Sequence, residues 1–359
     1  MTPNSTVRHR RLASLAAMML GACVALAQGP NNSGTYYKPA DGKSGKSLKT
    51  AMAEVIVDHS AISYSGLWKC FYTTDRRSDG KVWDMYSSAT NYTMGGPQQG
   101  ANYKKEGDSY NREHSMPKSW FNDARPMYTD LVHIVPTDGY VNNRRGNYPF
   151  GETNGEQYQS AGGFSKLGRS TTSGYSGTVF EPADEYKGDF ARIYFYMVTC
   201  YEKRVATWQS DMLDGTAYPA LSRWALDLLL RWAKEDPVSQ KETERNEAVW
   251  ELQGNRNPFV DYPGLEQYVW GDKTAVAFSY DHYDSDGPSA ITEATGYGVR
   301  LYHRGHNGAP RRRQGRRPAG PSKGHIHNKQ RQQGRHGEIN SQVRPHEAPP
   351  TTGSNTRQQ

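Results

Sequence analysis

Tyr110 to Phe121 reads YNREHSMPKSWF. It sets a carboxylate and an imidazole side by side, Glu113 and His114, just ahead of Met116-Pro117. On a regular strand, adjacent side chains point to opposite faces. The pair can serve one site if the chain twists, and a strand end before a proline is where a twist is expected.

A second stretch lies close behind. Residues 129–152 read TDLVHIVPTDGYVNNRRGNYPFGE and add His133, Asn142, Arg144 and Arg145. The pattern predicts a strand over 109–115, a strand over 130–135 and a helix over about 138–145. Glu113 and the amide carbonyl of Asn142 are hard oxygen ligands of the kind that hold Mg²⁺ or Ca²⁺. A histidine off the metal, His114, can take a proton from water near neutral pH. Arginine forks clamp phosphate oxygens, and Arg112, Arg144 and Arg145 stand in these stretches. This set suits metal-assisted hydrolysis of a phosphodiester. Taken singly, each residue has a bland reading: Glu-His as two surface residues, Asn142-Asn143 as a turn. Their joint occurrence is what points to a site.

The two stretches resemble the endonuclease I family of bacterial secreted or periplasmic nucleases. VFEPADEYKGDFAR, DPVS and QGNRNPFVDYP extend the resemblance across most of 45–270. The resemblance implies an α+β fold built on a ββα-metal (His-Me) finger. It implies Glu113 and Asn142 as metal ligands, His114 as general base, His133 as a brace for the catalytic strand or histidine, and a phosphate-contacting arginine for which Arg112, Arg125 and Arg145 are candidates. It further implies a divalent ion, Mg²⁺ first with Ca²⁺ or Mn²⁺ as alternatives. It implies nucleic acid as the partner, DNA first with RNA as the alternative, read through its backbone without sequence preference. Family members are often cysteine-rich, and this chain departs from that.

The charge is unevenly spread. The net +7 of the 359 residues comes from the ends: Arg300–Gln359 carry +11 and the first 27 residues +3, which leaves 28–299 at −7. Whole-chain charge is therefore no argument that the body binds nucleic acid. It does raise a rival reading, a non-catalytic nucleic-acid-binding surface protein acting through the basic tail.

Arg8, Arg10 and Arg11 precede the apolar run LASLAAMMLGACVALA, which reads as an export signal ending at Ala27. Simple cleavage is the favoured reading; Leu20-Gly21-Ala22-Cys23 also fits lipidation of Cys23. Either way the expected location is secreted or periplasmic. Cys70 and Cys200 remain, too few for a structural zinc site, and either a disulfide or two buried thiols.

The chain then divides into a flexible lead (28–46), a catalytic domain (47–275), a linker (276–299) and a disordered basic tail (300–359). A helix capped by Ser47 carries Leu48, Ala51, Met52, Val55 and Ile56, with His59 at its end. KVWDMYS (81–87) reads as a strand, and 151–177 as a long loop. Apolar stripes predict helices through Phe190–Tyr201 and Leu221–Trp232. A third helix opens on the capping box Ser239-Gln240-Lys241-Glu242 and ends near Gly254.

Overall fold

The computed structural model describes residues 28–283. The export signal, Cys23, residues 284–299 and the basic tail lie outside the described residues. The chain enters α1 (Gly45–Ile56) and α2 (Leu67–Thr74), then β1 (Tyr110–His114), β2 (Ile134–Asp138) and α3 (Gly139–Arg145). β3 (Tyr158–Gln159), β4 (Lys166–Arg169) and β5 (Thr178–Glu181) follow. The rest is helical: α4 (Lys187–Cys200), α5 (Glu202–Val205), α6 (Arg223–Glu235), α7 (Gln240–Gln253), α8 (Pro258–Asp261) and α9 (Leu265–Val269). The fold is α+β, with a two-stranded antiparallel pair β1-β2 and a three-stranded antiparallel sheet in the order β3-β4-β5.

α4 is the centre of the core. Every residue from Gly188 to Cys200 is buried, because α1, α6 and α8 cover it on different sides. Its expected stripe is therefore a continuous apolar surface, and its two buried charged residues, Asp189 and Arg192, are paired inside. Arg192 lies against Glu242 and Asp189.

α7 starts as its capping box predicts: Ser239 accepts from the Glu242 amide, and Glu242 accepts from the Ser239 amide. Gly254 ends it at φ 84°, a left-handed conformation that glycine adopts without strain.

Five expectations are corrected. α1 is capped by Ser44, with Ser47 completing the box from inside the helix. The lead is not flexible: Tyr37 is buried and donates to Asp261 Oδ2 at 2.7 Å. Residues 81–87 form only isolated bridges, Lys81 to Thr93 and Val82 to Arg76. The long loop 151–177 contains β3 and β4, whose two and four residues are too short to show alternation in the sequence. At the other end the body runs past 275, since Phe278 and Tyr280 are buried against the Tyr262 region. Cys70 and Cys200 are both buried and unbridged.

Candidate active site

β1 and β2 pair in register from Tyr110–Asp138 to His114–Ile134. The ladder continues one residue further, with the Ser115 amide donating to the His133 carbonyl at 3.1 Å. Pairing thus runs through His114, and the two neighbours make their side-chain contacts on opposite sides of β1. Asn111 and Glu113 face α3. Arg112 and His114 face a pair of tyrosines on the other side.

β2 begins at Ile134 and not at 130 for a local reason. The Asp130 carboxylate caps the Val132 amide at 3.0 Å and turns the chain there. Arg245 then fixes the entry to β2, donating to the carbonyls of Leu131, Val132 and Ile134 at 2.8–3.1 Å. Asp138 caps α3 by accepting from the Val141 amide at 2.8 Å.

On the α3 face, Glu113 Oε1 accepts from Tyr86 Oη and from Arg145 Nη1, both at 2.7 Å. Both side-chain donors fall on that one oxygen, which leaves Oε2 as the carboxylate oxygen without a side-chain donor. Burial pushes the carboxyl above its ordinary range, against the pull of Arg145. Asn142 is half-buried, and its Nδ2 donates to Asn111 Oδ1 at 2.7 Å. That bond fixes the amide, turning Asn142 Oδ1 away from Asn111. As a donor set, the two hard oxygens Glu113 Oε2 and Asn142 Oδ1 fit a divalent ion that keeps most of its waters.

On the opposite face, His114 Nε2 lies 3.1 Å from the Tyr128 carbonyl. A carbonyl only accepts, so Nε2 carries the hydrogen and Nδ1 the lone pair. Among the described residues Nδ1 has no hydrogen-bond partner, and it is not sealed from solvent. Burial first, then the neighbouring His133, push the imidazole pKa down to about 3. His133 is fully buried with its ring 5.6 Å from that of His114, and its Nε2 donates to the Met127 carbonyl at 2.7 Å.

The arginine expectations divide. Arg145 is buried at 1% exposure, with its Nη groups on Glu113, the His114 and Ser115 carbonyls and Tyr194 Oη. It cannot reach a substrate phosphate; it clamps the end of β1. Arg112 is half-buried between the rings of Tyr64 and Trp68, 3.6 and 4.4 Å from their centroids, and donates to the Tyr64 carbonyl. Arg125 is exposed beside Tyr128.

Sequence reasoning missed Asn111 and Tyr86. Asn111 was within reach, two residues before Glu113 and so on the same strand face. Nothing marked Tyr86 among the chain's 24 tyrosines.

A different cluster, His59, Asp130 and Cys200, gathers under α4. Its carboxylate is already saturated by Val132, Gln253, Tyr196 and Tyr201 donors, which marks a structural network.

The sequence pattern of the family described as Endonuclease I matches residues 44–264. The chain belongs to the endonuclease I family. As a member, it is a nucleic-acid hydrolase. Among its relatives is the extracellular ribonuclease of Bacillus amyloliquefaciens, 37% identical over 245 residues, which span 66% of this chain and 78% of the relative. The extracellular ribonuclease of Bacillus subtilis (strain 168) is 36% identical over 242 residues, with the same coverage. The periplasmic deoxyribonuclease of Aeromonas hydrophila is 29% identical over 135 residues, 38% of this chain and 48% of that protein. The matched span of this endonuclease I chain holds both faces of β1 and all of α3, and stops before α9. No helix among the described residues is long and apolar enough to cross a membrane.

Proposed function

We propose that this chain is an exported, secreted or periplasmic endonuclease that hydrolyses phosphodiester bonds in RNA and DNA with little regard to sequence. The observation that carries this reading is the His114 ring. Its Nε2 is held at 3.1 Å by a backbone carbonyl, while Nδ1 has no hydrogen-bond partner among the described residues and stays within solvent reach.

We read β1, β2 and α3 as a ββα-metal finger. His114 Nδ1 takes the proton from the attacking water, and the depressed pKa keeps the ring neutral for that task across the neutral range. Glu113 and Asn142 would hold Mg²⁺, or Ca²⁺ or Mn²⁺; when bound, such an ion stabilises the developing charge on phosphate and leaving oxygen. Adjacent residues divide the work by strand alternation: ion ligand on the α3 face, base on the tyrosine face. Arg145, His133 and Arg112 act as positioning residues, holding respectively Glu113, the His114 ring and Tyr64. Arg125 is the arginine free to meet phosphate. The expected products carry 5′-phosphate and 3′-hydroxyl ends. The names of the relatives, two ribonucleases and a deoxyribonuclease, support a substrate range covering both sugars.

The test is digestion of plasmid and of total RNA by wild type, by His114→Ala, and by wild type with EDTA. Loss of at least about 100-fold in rate is expected for the variant. Undiminished cleavage by His114→Ala or under EDTA overturns the mechanism. Removal of 300–359 should leave cleavage in place; loss of all nucleic-acid affinity on that deletion favours the tail-driven binder.

A further inference from the structure

The His114 side of β1 carries a compact set of rings and cations. Tyr64 and Tyr128 are half-buried, with ring centroids 4.9 Å apart. The His114 ring lies 5.2 Å from Tyr128 and 6.1 Å, nearly parallel, from Tyr64. Lys118 Nζ and Arg125 Cζ stand 5.7 and 5.4 Å from the Tyr128 centroid. Both cations are exposed. Among the described residues, Lys118 pairs with the exposed carboxylate of Asp123, a weak surface pair that a phosphate can displace.

Rings beside cations match one chemistry, that of a nucleotide. A base has a π-face for the tyrosine, and its phosphate has oxygens for the lysine and arginine. In a duplex that face is covered by neighbouring bases, so the ring is useful only to an unpaired nucleotide. Body charge cannot do this work, since 28–299 is net negative and attraction must be local.

We propose that Tyr128 and Tyr64, with Lys118 and Arg125, form a subsite for an unpaired nucleotide flanking the cleaved bond. The nuclease thereby favours single-stranded RNA or DNA over duplex. This rests on the proposed phosphodiesterase reading, and its test is chosen to fail separately.

Binding is measured in the His114→Ala background, so that no cleavage intrudes. The probes are a short fluorescein-labelled oligothymidylate and a hairpin duplex of equal length, followed by anisotropy with Ca²⁺ present. The single strand should bind roughly tenfold more tightly than the duplex. Tyr128→Leu keeps the carbonyl that holds His114 and should bring that ratio close to one; Tyr64→Leu provides a second variant if Tyr128→Leu does not fold. Lys118→Gln should weaken binding of both probes and reduce the salt slope by about 0.7 for the single strand. Equal affinity for the two probes, or an unchanged ratio in both tyrosine variants, overturns the subsite. A wild type that cleaves neither nucleic acid refutes the nuclease reading instead, whatever the binding shows.

Discussion

Arg145 Nη1 lies 2.7 Å from Glu113 Oε1, and both side chains are buried. The same nitrogen donates to the His114 carbonyl at 3.0 Å, so one guanidinium ties together the two neighbours that the sequence sets side by side. Its other fork reaches the Ser115 carbonyl at 2.6 Å. α3 therefore does more than carry Asn142: its last residue locks the end of β1.

Arg145→Met should destabilise the fold by about 3–5 kcal/mol, because Glu113 is left as a buried, unpaired charge. Arg145→Lys should recover part of this, since an ammonium cannot reproduce the fork that reaches two carbonyls and a carboxylate. Urea unfolding in EDTA reads the effect without contribution from an ion. A change under about 1 kcal/mol in the Met variant would show that Glu113 is not held as a charge.

Asn111 acts on the ion only through Asn142. Its Oδ1 accepts from Asn142 Nδ2 at 2.7 Å and so decides which end of that amide faces outward. Asn111→Leu frees the amide to rotate. Mn²⁺ affinity measured by calorimetry should fall roughly 10–100-fold, as for other residues that orient a metal ligand. Asn142→Ala should lose at least as much. Asn111→Asp should rescue, since a carboxylate oxygen accepts the same bond.

His114→Ala separates base from ligand. Turnover should fall by about 10²–10⁴-fold. Mn²⁺ affinity should stay within about twofold, because His114 lies on the strand face away from Glu113 and Asn142. Added imidazole should restore part of the rate in this variant and none in Glu113→Gln. Rescue of both, or of neither, would remove the assignment of Nδ1 as proton acceptor.

The parts of the fold legible in the sequence were those whose signal is dense. Ser239 and Glu242 announce α7 because a capping box satisfies two amides at fixed spacing. YNREH and IVP announce β1 and β2, although Asp130 delays β2 by capping the Val132 amide. β3 to β5 were invisible because strands of two to four residues among Gly and Ser show no period. The burial of Arg145 was equally hidden: VNNRRG reads as two cationic neighbours, and only the helix turn sends Arg144 to solvent and Arg145 inward. Lys118 gave no signal, because its nearness to Tyr128 arises from a short turn, Lys118–Phe121, that no repeat marks.

Asp84 makes stability depend on pH. Burial raises its carboxyl pKa from 3.8 to about 7, against hydrogen bonds from the Thr90 hydroxyl at 2.7 Å and the Tyr86 amide at 2.9 Å. Between those two values the folded chain keeps a proton that the unfolded chain releases. Its contribution to stability is therefore full below about pH 4 and declines as pH rises toward 7. Asp84→Asn retains the oxygen that accepts from Tyr86 and Ser87 and removes the charge. Wild type and variant should be most alike near pH 4, with the variant gaining relative to wild type as pH rises to about 8. Glu242, raised to about 7 by burial, adds a decline of the same sign in both chains. Buried His133, whose pKa is lowered, adds an opposite trend in both. The comparison cancels those two and isolates Asp84. Urea midpoints across this range provide the measurement; a difference that does not change with pH would mean that Asp84 is ionised in the folded chain throughout.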